Sequence, residues 1–270
     1  MNKKFLIVIL AAIAIAGIFI VLILKRPADI IKLASNRPSV HNLLNQARQF
    51  EAKGELLEAK SIYQKLVNDF TESPEVALWQ KKSEEINIKL LFSPAITPKS
   101  IIYQIKSGDT LNKIAREHKT TPELIMKSNN ISDSLIIPGR KIKIWNAPFS
   151  ILVDKSQNIM LLKSDEEVIK TYVVSTGKDS CTPVGVFKII NKLANPTWFR
   201  AGAVVPAGSP ENVLGTRWMG FDLAGYGIHG TIEPKELGKQ VTQGCVRLSN
   251  SDVEELYNII PTGTEVTIVE

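Results

Sequence analysis

The chain has 270 residues, 44% hydrophobic and 22% charged, which excludes a single small domain and a disordered chain and leaves room for two or three folded units. Its two cysteines, Cys181 and Cys245, exclude a disulfide-built fold and a four-cysteine zinc site. The formal charge of +6 is unevenly spread: 22 Lys and Arg stand against 13 Asp and Glu up to residue 147, and 11 against 14 beyond it. The basic half is interleaved with acids and lacks an arginine-rich helix or an aromatic-basic platform, so it suits an anionic membrane or wall surface and not nucleic acid.

Residues 5–24 read FLIVILAAIAIAGIFIVLIL, twenty residues without a charge. As a helix rising about 1.5 Å per residue they match a hydrocarbon thickness of about 30 Å. A transmembrane anchor is expected. The alternative is a cleaved signal peptide with Ala14-Ile15-Ala16 as its small-x-small site, but cleavage there leaves GIFIVLIL on the mature end. Lys3 and Lys4 before the segment face Lys25, Arg26, Lys32 and Arg37 after it, so flanking charge leaves orientation open.

Residues 39–92 carry two helical stripes, Leu43, Leu44, Ala47, Phe50 and then Leu56, Ala59, Ile62, Tyr63, Leu66, Phe70. Gly54 between them predicts a turn, hence a short α-helical hairpin. The spacing Gly54, Ala59, Tyr63 resembles one tetratricopeptide repeat, with Pro74 later than that pattern expects, and a spacer is the expected role. The proline-bearing stretch SPAITPKS, residues 93–100, reads as a linker.

From residue 101 to 145 the order is β-α-α-β. The strand IIYQI leads to Lys106-Ser107-Gly108-Asp109-Thr110, where Asp109 or Thr110 caps the helix LNKIAREH. Thr121 caps a second helix with Pro122 at its first position, and Pro138-Gly139 turns into KIKIW. The run Y-x-I-x-x-G-D-T-L-x-x-I-A, then Asn129-Asn130 and I-x-P-G-x-x-I-x-I, resembles a LysM module. That family is α+β and binds N-acetylglucosamine-containing glycans such as peptidoglycan and chitin.

Beyond Trp145 the β-like runs FSILVD, NIMLLK, EVIKTYVVS, GVFKII and EVTIVE alternate with Gly, Pro, Asp and Ser clusters, which predicts a mostly-β domain over residues 148–269. It contains one histidine, His229, sixteen residues before Cys245. His41 and His118 lie in the helical unit and the α+β module. A free thiol with pKa about 8.5 needs a base or a positive dipole to attack at neutral pH, and an imidazole supplies that help. Gly227-Ile228-His229-Gly230-Thr231 and Gln243-Gly244-Cys245 place both residues beside glycine, which permits tight turns with N–H groups free for an oxyanion. Arg247, two residues on in an extended stretch, shares the face of Cys245 and suits a substrate carboxylate. The same residues are also compatible with an inert buried thiol and a structural histidine.

Six ordered motifs bear on that choice: Val174-Ser175-Thr176-Gly177, Thr182-Pro183-Val184-Gly185-Val186-Phe187, Pro196-Thr197-Trp198, Leu214-Gly215-Thr216-Arg217-Trp218, Ile228-His229-Gly230-Thr231 and Thr242-Gln243-Gly244-Cys245-Val246-Arg247-Leu248. Together they resemble the L,D-transpeptidase catalytic domain, also called the YkuD domain. The resemblance implies Cys245 as nucleophile and His229 as general base, with the Gly230 carbonyl orienting the imidazole. It further implies an oxyanion hole from N–H groups around Gly244 and Cys245, and Arg247 steadying the loop or holding a carboxylate. Thr242 stands where the family usually has serine, and Gln243 where many members carry a second histidine, so Gln243 has no proton-transfer role here. Cys181 is expected as a neutral loop residue, with a redox lock on Cys245 as the alternative.

The whole then reads as a multi-domain wall enzyme: transmembrane helix, helical hairpin, LysM module and mostly-β transpeptidase domain. The resemblance implies a bacterial source, peptidoglycan as partner, no metal and no organic cofactor. It implies attack on a stem tetrapeptide, release of D-alanine and a 3→3 cross-link. Water as acceptor gives an L,D-carboxypeptidase, a lipoprotein lysine gives protein anchoring to peptidoglycan, and a shut-off thiol leaves a wall tether. Polymerised peptidoglycan lies outside the cytoplasmic membrane, so the catalytic domain is expected outside despite the flanking charges.

Overall fold

The computed structural model describes residues 39–270 apart from 134 and 201. The apolar segment 5–24, with the anchor and the signal-peptide alternative, lies outside the described residues. Among the described residues no helix is long and apolar enough to cross a membrane.

The first unit has three helices where two apolar stripes predict a hairpin. Helix α1 (Val40–Lys53) starts where the Ser39 hydroxyl accepts from Asn42 N at 3.2 Å. It ends at Gly54, whose φ of 75° supplies the left-handed turn that closes helices. Helix α2 (Leu56–Asp69) buries Ala59, Tyr63 and Leu66, and the Tyr63 hydroxyl donates to Glu51 at 2.6 Å. Helix α3 (Val76–Leu91) buries Trp79, Ile86, Leu90 and Leu91, but also Ser83, Glu84 and Asn87. That partly polar buried face breaks the apolar periodicity and hides the third helix from a hydrophobic reading.

The second unit is the βααβ order expected. Strand β1 (Ser100–Gln104) pairs antiparallel with β2 (Lys141–Trp145), and helices α4 (Leu111–Glu117) and α5 (Pro122–Ser128) lie between them in sequence. Thr110 and Thr121 cap α4 and α5, accepting from Lys113 N at 3.2 Å and Leu124 N at 2.9 Å. Asn129 ties the end of α5 to β2, accepting from Lys143 N at 2.7 Å and donating to Lys143 O at 2.8 Å. Residues 93–100 are not a free linker: the buried Lys143 ammonium donates to the carbonyls of Leu90 and Ser93 at 2.6 and 2.8 Å, closing the end of α3.

The third unit is built on eight strands. They are β3 (Phe149–Asp154), β4 (Ile159–Ser164), β5 (Glu167–Val173), β7 (Gly185–Ala194), β10 (Arg217–Phe221), β11 (Gly227–His229), β13 (Val246–Arg247) and β14 (Glu265–Val269), in the order β13-β11-β10-β7-β14-β3-β4-β5. Two short pairs flank the sheet: β6 (Thr176–Gly177) with β12 (Gln240–Thr242), and the hairpin β8 (Trp198–Arg200) with β9 (Ala203–Val205). Helix α6 (Asn250–Ile259), capped by Ser249, lays Val253, Leu256 and Ile259 into the core. Alternation in β3 and β4 buries every second side chain, as a sheet with one face on a core requires.

The three units are joined by specific contacts. Asn87 of α3 donates to the carbonyls of Val168 and Ile169 at 3.2 and 3.1 Å, and Thr171 donates to Glu84 at 2.8 Å. Helix α3 thus covers β5, the edge strand, whose open backbone groups would otherwise invite pairing with another chain. On the other side, Thr121 donates to the carbonyl of Asn258 near the end of α6. Leu124 and Trp145 belong to the same buried cluster as Ile228, Val246 and Leu256. The helical unit is therefore an edge cover for the sheet and not merely a spacer.

Candidate active site

Strand β11 lies between β10 and β13, antiparallel to the first and parallel to the second, with Trp218 opposite His229 and His229 opposite Arg247. Because Ile228 pairs with Val246, Cys245 stands level with Gly227, one residue before β13. Side chains alternate across a strand, so Cys245, Arg247 and His229 emerge on one face. The sequence separation of sixteen residues is closed by this parallel register.

His229 is buried, and its Nδ1 lies 2.7 Å from the Gly230 carbonyl. A carbonyl can only accept, so the proton is on Nδ1 and Nε2 carries the lone pair of a base. Trp218 stacks on the imidazole with centroids 6.0 Å apart and planes 23° apart. Burial, aided by the Arg247 charge, pushes the His229 pKa down to about 4, against the Gly230 carbonyl, which favours the protonated form. At neutral pH the ring is an uncharged base.

Cys245 follows a turn shaped by Thr242. The Thr242 hydroxyl accepts from Gly244 N at 3.2 Å and donates to the Cys245 carbonyl at 2.7 Å. Gly244 has φ of +117°, and a Cβ there would meet Tyr226 Cε1 at 2.6 Å, so the turn requires glycine twice over. The Cys245 thiol donates to the Gly225 carbonyl at 3.6 Å. Burial raises its pKa above that of a free cysteine, opposed by the Gly227 backbone and the Arg247 charge. The resting pair is thus thiol and neutral imidazole, not a preformed thiolate-imidazolium pair.

Arg247 is 8% exposed, and its Nη1 is 3.0 Å from Glu233, an ion pair not anticipated from the sequence. Its Nε is buried without a hydrogen-bond partner. The guanidinium therefore already has an anion, which favours the loop-steadying role over an empty carboxylate cradle. Cys245, His229, Arg247, Thr242 and Gln243 line one cavity of about 520 Å³ walled by Trp198 and Leu214.

Cys181 lies beside the same turn. It is exposed and unbridged, and its thiol is 3.8 Å from the Thr242 carbonyl. His41 and His118 take no part: each is held by an asparagine, Asn45 and Asn146, within the first two units. Sequence reasoning missed Glu233 and the stacked contact of Trp218, because the first is brought to Arg247 by the loop after β11 and the second to His229 by strand register, neither of which is a local motif.

A thiol and a neutral imidazole thus face one open pocket from neighbouring positions of the sheet, an arrangement chemically suited to acyl transfer. Residues 148–268 match the family of the L,D-transpeptidase catalytic domain, YkuD, and residues 103–145 match the LysM domain. The chain is 36% identical over 176 residues to a Bacillus subtilis protein named as L,D-transpeptidase YkuD, covering 62% of this chain and 98% of that protein. A second B. subtilis protein, named as L,D-transpeptidase YqjB, is 40% identical over 126 residues, covering 44% of this chain and 70% of that one. A solved L,D-transpeptidase of Enterococcus faecium is 26% identical with a TM-score of 0.39, covering 45% of this chain and 50% of that one. The chain belongs to the YkuD family of L,D-transpeptidases.

Proposed function

We propose that this cell-wall L,D-transpeptidase uses Cys245 as nucleophile on peptidoglycan stem tetrapeptides, with His229 as its general base. The observation that carries this is the bond from His229 Nδ1 to the Gly230 carbonyl, which leaves Nε2 basic on the face that also bears Cys245. Because both groups rest uncharged, the proton moves from sulfur to Nε2 as the sulfur–carbon bond forms. The attacked carbonyl belongs to the L-centre of the position-three residue. His229 then returns its proton to the departing amine, and D-alanine leaves a thioester on Cys245. An acceptor amine, deprotonated by His229, attacks the thioester, restores the thiol and closes a 3→3 cross-link.

Gly244 N–H is held by Thr242, so the Cys245 amide is the readier oxyanion donor, with Gly244 joining it if that contact loosens. Thr242 acts through the turn and Arg247 through its pair with Glu233. The LysM unit holds the glycan strand, and residues 5–24 anchor the chain in the cytoplasmic membrane with the catalytic domain outside. The test is incubation of residues 39–270 with disaccharide-tetrapeptide and mass analysis of products. A dimer lacking one D-alanine supports transpeptidation. A tripeptide alone shows carboxypeptidase action, and unchanged substrate a wall tether.

A further inference from the structure

The Gly230 carbonyl is one end of a peptide unit whose other end is the Thr231 N–H, and that N–H donates to Asn250 Oδ1 at 3.1 Å. Asn250 is the first residue of α6, fixed by the Ser249 cap, whose hydroxyl accepts from Asp252 N at 3.1 Å. Its amide makes two further bonds: Oδ1 also accepts from Thr216 N at 3.2 Å, and Nδ2 donates to the Thr231 carbonyl at 2.8 Å. One side chain thus pins the strand leaving His229 on both its donor and acceptor edges and ties it to the residue before β10.

The fit is close. A Cβ placed on Gly230 or on Gly215 would lie 2.2 Å from Asn250 Oδ1, so both glycines are needed for the amide to approach the backbone. Gly215 also has φ of +63°. These glycines sit in two of the sequence motifs, Leu214-Gly215-Thr216 and His229-Gly230-Thr231, and their common physical cause is the seat of Asn250.

We propose that Asn250 is a positioning residue for the reaction, acting through the Gly230–Thr231 peptide on the tautomer and orientation of His229. The chain of bonds runs from His229 Nδ1–H to the Gly230 carbonyl, across the peptide plane, and from the Thr231 N–H to Asn250 Oδ1. Hydrogen bonds at the two ends of one peptide polarise each other, so accepting from Thr231 N–H makes the Gly230 oxygen a better acceptor. The amide also fixes the plane of the peptide, and hence the direction in which that oxygen points. A neutral side chain reached through the backbone here fills the place of the acidic group that holds histidine in a three-residue catalytic set.

This inference rests on His229 serving as the base. The test uses the 39–270 chain with Asn250→Ala, Asn250→Asp, His229→Ala and Cys245→Ala, read by turnover and by 15N spectra of the His229 ring. Asn250→Ala is expected to lower kcat about tenfold to a hundredfold, the usual size for a group that orients a reacting one. KM should change little, and the ring signal should shift from Nδ1–H alone toward a mixture of tautomers. Asn250→Asp keeps the acceptor for Thr231 N–H and should recover much of the rate and the Nδ1–H signature. Wild-type turnover and ring spectra in Asn250→Ala would overturn the inference. So would equal losses in the Ala and Asp variants with the ring signature unchanged, which marks a purely structural role. Should Asn250→Ala fail to fold, a wild-type ring spectrum in folded Asn250→Ser would overturn it equally. Full activity in Cys245→Ala or His229→Ala would instead sink the site reading beneath it.

Discussion

At the residue scale the proposed mechanism rests on two pKa displacements of opposite sense, both caused chiefly by burial. His229 is held at about 4 and the Cys245 thiol above its ordinary value. The acid limb of kcat/KM should therefore fall off near pH 4, far below an ordinary histidine, and a half-loss at pH 6 to 7 would contradict the buried neutral base. Alkylation of Cys245 by iodoacetamide should keep rising beyond the pH at which a free cysteine levels off. The same displacement affects stability. Between about 4 and 6.5 the unfolded chain binds a proton that folded His229 refuses, so stability falls as pH drops through this window, by on the order of 3 kcal/mol. In His229→Gln that part of the pH dependence of the urea midpoint should vanish. Gly244→Ala should abolish turnover in a folded protein, because the added methyl meets Tyr226 and the φ of +117° disfavours it.

Cys245, His229 and Arg247 are legible in the sequence because their motifs are local and rich in glycine. Glu233 and Asn250 are not, since their partners are Arg247 and Thr231, reached only when strands and α6 are packed. The thiol's raised pKa is equally invisible in one dimension, because burial is a property of the packed chain.

At the scale of elements, α3 shows how a polar buried face defeats an apolar periodicity. Asn87 and Glu84 are buried against a strand edge that offers polar partners, Asn87 donating to the carbonyls of Val168 and Ile169 and Glu84 accepting from the Thr171 hydroxyl. Asn87→Ala removes two donors from the carbonyls of Val168 and Ile169 and should cost about 1–3 kcal/mol in denaturant unfolding, with greater self-association through β5. A change within about 0.5 kcal/mol, the range of surface substitutions, would show that α3 does not protect that edge. The capped helices α4 and α5 are legible in the sequence, since Thr110 and Thr121 act within four residues of chain.

At the scale of the whole molecule the modules seen in the sequence are physically continuous. Leu124 and Trp145 are buried with the sheet core, Lys143 closes α3, and Thr121 reaches the carbonyl of Asn258. Residues 39–270 should unfold in one calorimetric transition, whereas separate transitions for the LysM and catalytic parts would contradict this packing. Residues 101–145 alone keep their own buried cluster of Ile105, Leu111, Ile114, Ile125, Ile142 and Ile144 but would expose Leu124 and Trp145, so they should fold with a lower denaturation midpoint than the whole chain. With the LysM unit docked in this way, a bound glycan strand would present its stem peptides at a fixed distance from the pocket.

The most direct test of the mechanism is intact-protein mass after brief mixing of residues 39–270 with tetrapeptide substrate, in wild type and in Cys245→Ala. Wild type should gain the mass of the stem less D-alanine, held as a thioester, while D-alanine is released and the variant gains nothing. An identical adduct or undiminished D-alanine release in Cys245→Ala would contradict catalysis by this thiol.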